Sequence, residues 1–223
     1  MGGSMTVRGV VFDLDGTLVD NMALHTEAFA IFGERHGLPP FDAEQRARLD
    51  GKRNADIFPV LCGRPLTDEE LRAFADEKEG CYRELSRGRL KTLTGLERLL
   101  ALLESRGIPC AVATSGPAEN VEHTLREAGL ARRLPVVVRG DEVARGKPHP
   151  DIFLAAAARI GVDPAECLAF EDSPAGVAAA RAAGMVCIAL TTSFTRAQFE
   201  AAGVEPDRIV ADFDAFLSQR PIG

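Results

Sequence analysis

The chain has 223 residues, with 26 Lys+Arg against 33 Asp+Glu and a formal net charge of −7. A hydrophobic share of 46% beside a charged share of 26% excludes a disordered chain, because there is ample apolar material to build a core. The net acidity argues against general nucleic-acid binding, which needs a basic face. The longest stretch without a charge, Ala182 to Thr195, has 14 residues, short of the ~20 that a bilayer helix needs.

In chain order, Met1-Gly2-Gly3-Ser4 reads as an appended leader, with Met5 as the natural start and no export pattern after it. Val7 to Phe12 is a nearly continuous apolar run, suited to a strand buried on both faces. Met22 to His36 is helical, stopped by Gly37 and Pro39. From about Phe41 to Arg87 the chain is charge-rich and helical in pattern, with Thr67-Asp68-Glu69-Glu70 opening a helix to about Ser86. Thr94-x-x-Glu97 is expected to cap a helix to about Arg106. Strand and helix then alternate: strand Cys110–Ala113, a helix from Ala118 to Gly129, strand Pro135–Val138, helix Asp151–Ile160, strand Leu168–Phe170. A helix opened by Ser173-Pro174 and closed by Gly184 follows, then strand Val186–Leu190, a helix capped by Thr195-x-x-Gln198, strand Arg208–Val210 and a short last helix.

This alternation predicts an α/β fold: a doubly wound, mainly parallel sheet with helices on both faces. The helical stretch after the first strand reads as an insert. The five cysteines, Cys62, Cys81, Cys110, Cys167 and Cys187, form no C-x-x-C pair and read as reduced thiols of a cytoplasmic protein.

Ligands of open parallel sheets bind beyond the carboxyl ends of the strands. Four such ends or nearby loops carry polar groups here: Asp13-Leu14-Asp15-Gly16-Thr17, Thr114-Ser115-Gly116, Gly146-Lys147-Pro148 and Glu171-Asp172-Ser173. Brought together, Asp13, Asp15, Glu171 and Asp172 repel one another unless cations offset them. Lys147 offers one charge; a hard divalent cation offers two, and oxygen-only ligands favour Mg²⁺. Such a metal commonly meets a phosphate, to which Thr114, Ser115 and the amides after them can donate, while Lys147 neutralises developing charge.

The four motifs, in this order on this strand pattern, resemble those of the haloacid dehalogenase superfamily, in particular its beta-phosphoglucomutase-like members with a small helical cap. The resemblance implies a Rossmann-like core over residues 1–20 and 88–223, with an inserted cap over 21–87. It implies Asp13 as nucleophile, forming an aspartyl-phosphate, and Asp15 as the acid that protonates the leaving oxygen and then activates water. Thr114 and Lys147 join them as catalytic residues. Asp13, Asp15 through its backbone carbonyl, Glu171 and Asp172 are the expected metal ligands. Gly16, Thr17, Ser115 and Gly116 are expected around the phosphate. In the cap, His25, the Gly51-Lys52-Arg53-Asn54 loop and Lys78 fall where that subgroup meets its substrate, so His25, Gly51, Arg53, Asn54 and Lys78 are expected substrate contacts. Against these stand plainer readings: a core or surface histidine, and a solvated face for Lys78 among Asp76, Glu77 and Glu79.

Asp15 disfavours the dehalogenase branch, whose leaving halide needs no acid, and the phosphonate-cleaving branch, despite Lys52 in the cap. The sequence departs from the mutase pattern at Pro117 and Ala118, where a Lys-Asn pair for a second phosphate would stand, and at Asn54, where an arginine would. The expectation is a Mg²⁺-dependent phosphatase of a small phosphorylated metabolite, in particular a sugar phosphate. It would act as a monomer without nucleic-acid or membrane partners. A phosphosugar mutase and a non-catalytic binding module are the alternatives.

Overall fold

The computed structural model describes residues 7–39, 44–45 and 49–219. The leader Met1–Ser4, the start at Met5 and the expected beginning of the charged helical stretch at Phe41 lie outside the described residues. Six strands form one parallel sheet: β1 (Gly9–Phe12), β2 (Cys110–Thr114), β3 (Val137–Arg139), β4 (Cys167–Glu171), β5 (Val186–Leu190) and β6 (Arg208–Val210). Their order is β3-β2-β1-β4-β5-β6. The order reverses beside β1, so the crevice for a ligand opens at the carboxyl ends of β1, β2 and β4.

Side chains alternate across the sheet. Val10 and Phe12 of β1 and Val112 of β2 join one apolar layer with Leu96, Leu99, Leu100 and Leu103 of α4 (Leu96–Ser105), Val121 and Leu125 of α5 (Ala118–Glu127), and Phe213 and Phe216 of α9 (Phe213–Ser218). Val11, Ala111 and Ala113 face the other way. They pack with α6 (Asp151–Ile160), α7 (Pro174–Ala182) and α8 (Arg196–Ala201) through Ile152, Phe153, Val177, Ala180 and Phe199. Phe170 stacks on Phe12 at 5.3 Å between centroids and meets Phe213 and Phe216 edge-on.

Several boundaries shift by one or two residues from the sequence expectation, β1 for example beginning at Gly9 rather than Val7, and two of the shifts have an evident physical cause. Thr94 does not cap α4. The helix starts from Gly95 at φ +83°, whose missing side chain makes room for the Asp214 backbone, since a Cβ would stand 2.4 Å from that amide. Strand β3 begins at Val137 rather than Pro135, because proline has no N–H for the ladder that pairs Val112 with Val137 and Thr114 with Arg139.

Between β1 and α4 lie α1 (Met22–His36), α2 (Asn54–Leu61) and α3 (Asp68–Ser86). Thr67 and Glu70 form the expected capping box of α3, and Gly37 closes α1 in the left-handed conformation. These helices have two apolar clusters of their own, Leu24/Ala28/Tyr82 and Phe32/Phe58/Leu61. The chain leaves the sheet and returns along a short antiparallel ribbon, with Val19 bridged to Thr92 and the Leu93 amide donating to Leu18 O at 3.1 Å.

Phe170 sits under the site and in the centre of one layer. Phe170→Ala is expected to destabilise the protein by about 3–5 kcal/mol, read from denaturant unfolding midpoints at unchanged slope.

Candidate active site

Asp13 follows β1, and its amide donates to Phe170 O of β4 at 2.9 Å, which ties the first motif to the last. Lys147 is fully buried and donates to Asp13 Oδ1 at 2.5 Å and Glu171 Oε1 at 2.7 Å. Its peptide bond to Pro148 is cis. The other Glu171 oxygen, Oε2, accepts from the amides of Asp172 and Ser173, both at 2.7 Å, and from Ser173 Oγ at 3.0 Å. Glu171 therefore folds back over its own turn. Gly176 leaves the space, because a Cβ there would lie 1.5 Å from Glu171 Oε1. Asp172 accepts from Thr17 Oγ1 at 3.4 Å and from Ser193 Oγ. Gly16, at φ +80°, lets the first loop pass Asp172, whose Oδ2 would stand 2.0 Å from a Cβ.

Oxygens of Asp13, Glu171 and Asp172 all lie within 4.8 Å of one another, and all three residues are buried. Burial, joined by repulsion from Glu171, pushes the Asp13 carboxyl well above the usual range even against the opposing pull of Lys147. Asp172 is likewise raised well above the usual range, by burial first and then by Glu171 and Asp13. Burial alone would lower the Lys147 ammonium; Asp13 and Glu171 reverse that and hold it charged. Three carboxylates against one ammonium leave an excess of two negative charges when all are ionised. An all-oxygen set of this charge fits a hard divalent cation such as Mg²⁺.

Asp15 turns the other way. Burial works against its charge, but His25 and Asn21 more than offset this and hold its carboxyl below the ordinary range. Asn21 Nδ2 donates to Asp15 Oδ1 at 2.6 Å, and His25 Nε2 stands 3.5 Å from the same oxygen. Asn21 also donates to Tyr82 Oη at 2.6 Å and accepts from the Gly16 amide at 3.1 Å. His25 stacks on Tyr82 at 3.8 Å, and its Nδ1 lies 2.9 Å from Lys78 Nζ. Lys78 is buried and paired with Glu79, so it is not on a solvated face. Glu79 accepts from Asn54 at 2.8 Å and from Asn120 of α5 at 2.5 Å.

One pocket opens onto Asp13, Asp15, Thr114, Ser115, Gly116 and Asp172 from the sheet side. His25, Gly51, Asn54 and Lys78 line it from the helices above, beside Met22, Phe29 and Ile57. Thr114 Oγ1 accepts from the Gly116 amide at 3.0 Å, and Ser115 Oγ donates to Gly51 O at 2.7 Å.

Three expected site residues sit differently from expectation. Arg53 does not line the pocket; it pairs with Asp56 at 3.0 Å and lies over the loop after β3, while Lys52 and Asn54 on either side of it face the pocket. Thr17 and Gly16 stand behind Asp172 rather than in the pocket wall, held there by the close approach of the two turns. The Asp15 carboxylate stands apart from the acidic triple, because Asn21 and His25 draw it aside; its expected part in metal binding is through the backbone carbonyl, which this does not touch. The sequence reading also passed over Asn21, Glu79, Asn120 and Ser193. Asn21 stands at the N-cap of α1 without capping it, so its type signalled a helix start and concealed its bond to Asp15.

Fold and site together define an α/β protein of Rossmann-like build with an acidic cluster at the sheet's switch point. The family model of haloacid dehalogenase-like hydrolases matches residues 7–184, and the chain belongs to that family. It is an enzyme of the family's phosphatase type, among relatives so named. A phosphorylated carbohydrates phosphatase of Thermotoga maritima is 33% identical over 80% of this chain and 82% of its own length. A beta-phosphoglucomutase of Bacillus subtilis is 32% identical over 82% of each chain. The crystal structure of a family IA, variant 3 hydrolase from Entamoeba histolytica superposes with a TM-score of 0.83 at 26% identity, covering 93% of this chain and 94% of that one.

In metal-free buffer the folded protein keeps protons on Asp13 and Asp172 at pH values where an unfolded aspartate, near 3.8, has lost its own. The folded state then binds more protons, so stability falls as pH rises from the unfolded value through about 8 for Asp13. Thermal melts in chelator across that range are expected to show this fall, and Asp172→Asn to flatten it; a melting temperature that rises with pH would contradict the burial argument.

Proposed function

We propose that the protein is a Mg²⁺-dependent phosphatase that hydrolyses a small sugar phosphate through an aspartyl-phosphate on Asp13. The observation that carries the reading is the division between Asp13 and Asp15. Two residues apart, they line one pocket, yet one is set among Lys147, Glu171 and Asp172 and the other is held by Asn21 and His25. Paired carboxylates in opposed environments suit a nucleophile and an acid-base group.

In this reading Lys147 orients Asp13 through Oδ1. An Asp13 oxygen attacks phosphorus, and the ester oxygen leaves with a proton from Asp15. A phosphate in the pocket raises the Asp15 carboxyl by like-charge repulsion, which lets it arrive protonated. Water then attacks the aspartyl-phosphate as Asp15 takes its proton, releasing inorganic phosphate and restoring Asp13. In this reading Thr114 Oγ and the amides of Ser115 and Gly116 donate to phosphate oxygens, the Gly116 amide leaving its bond to Thr114 Oγ1 to do so. Asp13 and Asp172, the Asp15 carbonyl and, behind them, Glu171 would hold Mg²⁺, which when bound offsets the charge of phosphate and carboxylates.

The domain reading is a core of residues 1–20 and 88–223 with a cap over 21–87. It draws support from the separate apolar clusters of α1–α3 and the paired ribbon at Val19 and Thr92. The cap excludes water and contributes the polar wall of Asn54, Lys78 and Glu79, which suits a hydroxylated leaving group beside the Phe29 ring. Among the described residues no helix is long and apolar enough to cross a membrane.

A phosphosugar mutase shares the first half of this chemistry and is favoured by the likeness to the Bacillus subtilis protein. It needs cations for a second phosphate. Here Pro117 lines the pocket, Arg53 does not, and Lys78 is engaged by Glu79, leaving Lys52 as the further cation of the described lining. That balance favours hydrolysis.

The test is turnover of sugar phosphates with Mg²⁺, including beta-glucose 1-phosphate primed with a bisphosphate, following free phosphate and hexose 6-phosphate together. Free phosphate, abolished in Asp13→Asn, is expected. Asp15→Asn should slow sugar phosphates by about 10²–10⁴-fold and aryl phosphates, whose leaving group needs no proton, far less. Hexose 6-phosphate without free phosphate would establish the mutase instead.

A further inference from the structure

Arg53 has no place in the pocket, and its surroundings assign it another role. It is the N-cap residue of α2, yet its side chain lies between two glycines of the core, Gly140 and Gly146. A Cβ on Gly146 would stand 2.6 Å from Arg53 Nε, 3.0 Å from Cδ and 3.2 Å from Cγ. A Cβ on Gly140 would stand 3.0 Å from Cγ and 3.1 Å from Cδ. Neither glycine has a positive φ, so no backbone conformation closed to other residues requires glycine there. What the missing side chains supply is room for the arginine stem.

Both glycines are buried. The stem occupies the slot, and the side chain, 26% exposed as a whole, donates from Nε to Asp56 Oδ2 at 3.0 Å and from Nη1 towards Gly140 O at 3.5 Å. Arg53 and Gly140 are 87 residues apart in sequence, so the slot fills only when the loop before α2 is seated on the core. The same loop is pinned on its other flank, where Gly51 O accepts from Ser115 Oγ and Gly51 presses on Ser173. Gly146 immediately precedes Lys147, the cation of the acidic cluster.

We propose that Arg53 is a positioning residue. Its side chain latches the Gly51–Asn54 loop into the Gly140/Gly146 slot, turns Lys52 and Asn54 into the pocket, and closes the site without touching substrate. Its kinetic consequence rests on the phosphatase reading; the latch itself does not.

The test is a mutant cycle on the full chain, read in two ways. Amide hydrogen exchange of residues 49–61 is measured without substrate, and kcat and KM are measured on the best sugar phosphate. Arg53→Ala and Gly146→Ala should each speed exchange in that segment and lower kcat/KM by about tenfold, through kcat and KM together. The double variant should be no worse than Arg53→Ala, because the new methyl fills the vacated slot. Arg64→Ala, which removes an exposed pair with Glu70, should change neither reading. Additive losses in the double variant, or normal exchange in Arg53→Ala, would overturn the latch. So would a rise in KM alone for Arg53→Ala with Gly146→Ala silent, which would make Arg53 a substrate ligand. If the parent turns over no phosphate ester, the phosphatase reading fails while the exchange cycle still decides the latch.

Discussion

Three carboxylates buried around one lysine are the constraint on which the rest of this structure depends. Isolated in a sheet protein's interior, Asp13, Glu171 and Asp172 would repel one another and favour their neutral forms. Lys147 offsets one charge, and the turn amides of Asp172 and Ser173 take up much of Glu171. The remaining imbalance between Asp13 and Asp172 is the property that makes the site receptive to a divalent cation. Two glycines answer to the same crowding. Gly176 makes room for the folded-back Glu171, and Gly16 lets the first loop pass Asp172.

The helices above the sheet impose a different environment on Asp15. Asn21 reaches it from the start of α1, His25 from the next turn of the same helix, and both touch Tyr82 of α3. Tyr82 in turn lies 3.0 Å from Thr124 of α5. The aspartate two residues beyond Asp13 is thereby oriented by groups from the first loop, the inserted helices and the core at once. Glu79, bonded to Asn120 across the same seam, keeps a charged wall dry without leaving it unpaired.

Much of this was legible in the residues. Nearly continuous apolar runs and helical stretches closed by Gly37, Gly161 and Gly184 placed the elements, because strand burial and left-handed helix ends are local requirements. The acidic and basic motifs at the strand ends were legible too, since Asp, Lys and Thr in such loops have little reason to be there without a site. Local signals misled where a distant contact outweighed them. Thr94 lost the N-cap of α4 to Gly95 because α9 packs against that point. Arg53 read as a substrate contact by its charge and place in the loop, but Asp56 and two distant glycines draw it away. Asn21 carried no signal of a site role in the sequence, and only its spatial neighbours reveal the bond to Asp15.

Sequence alone sufficed for the order of strands and helices, the four polar strand ends and the family they resemble, because each rests on short-range pattern and residue chemistry. Which carboxylate joins the acidic triple and which turns to the helices, which cations face the pocket, and where Arg53 lies were decided only in three dimensions. Those choices depend on β1 lying between β2 and β4 and on α3 crossing α5, contacts between residues dozens of positions apart that no local pattern encodes.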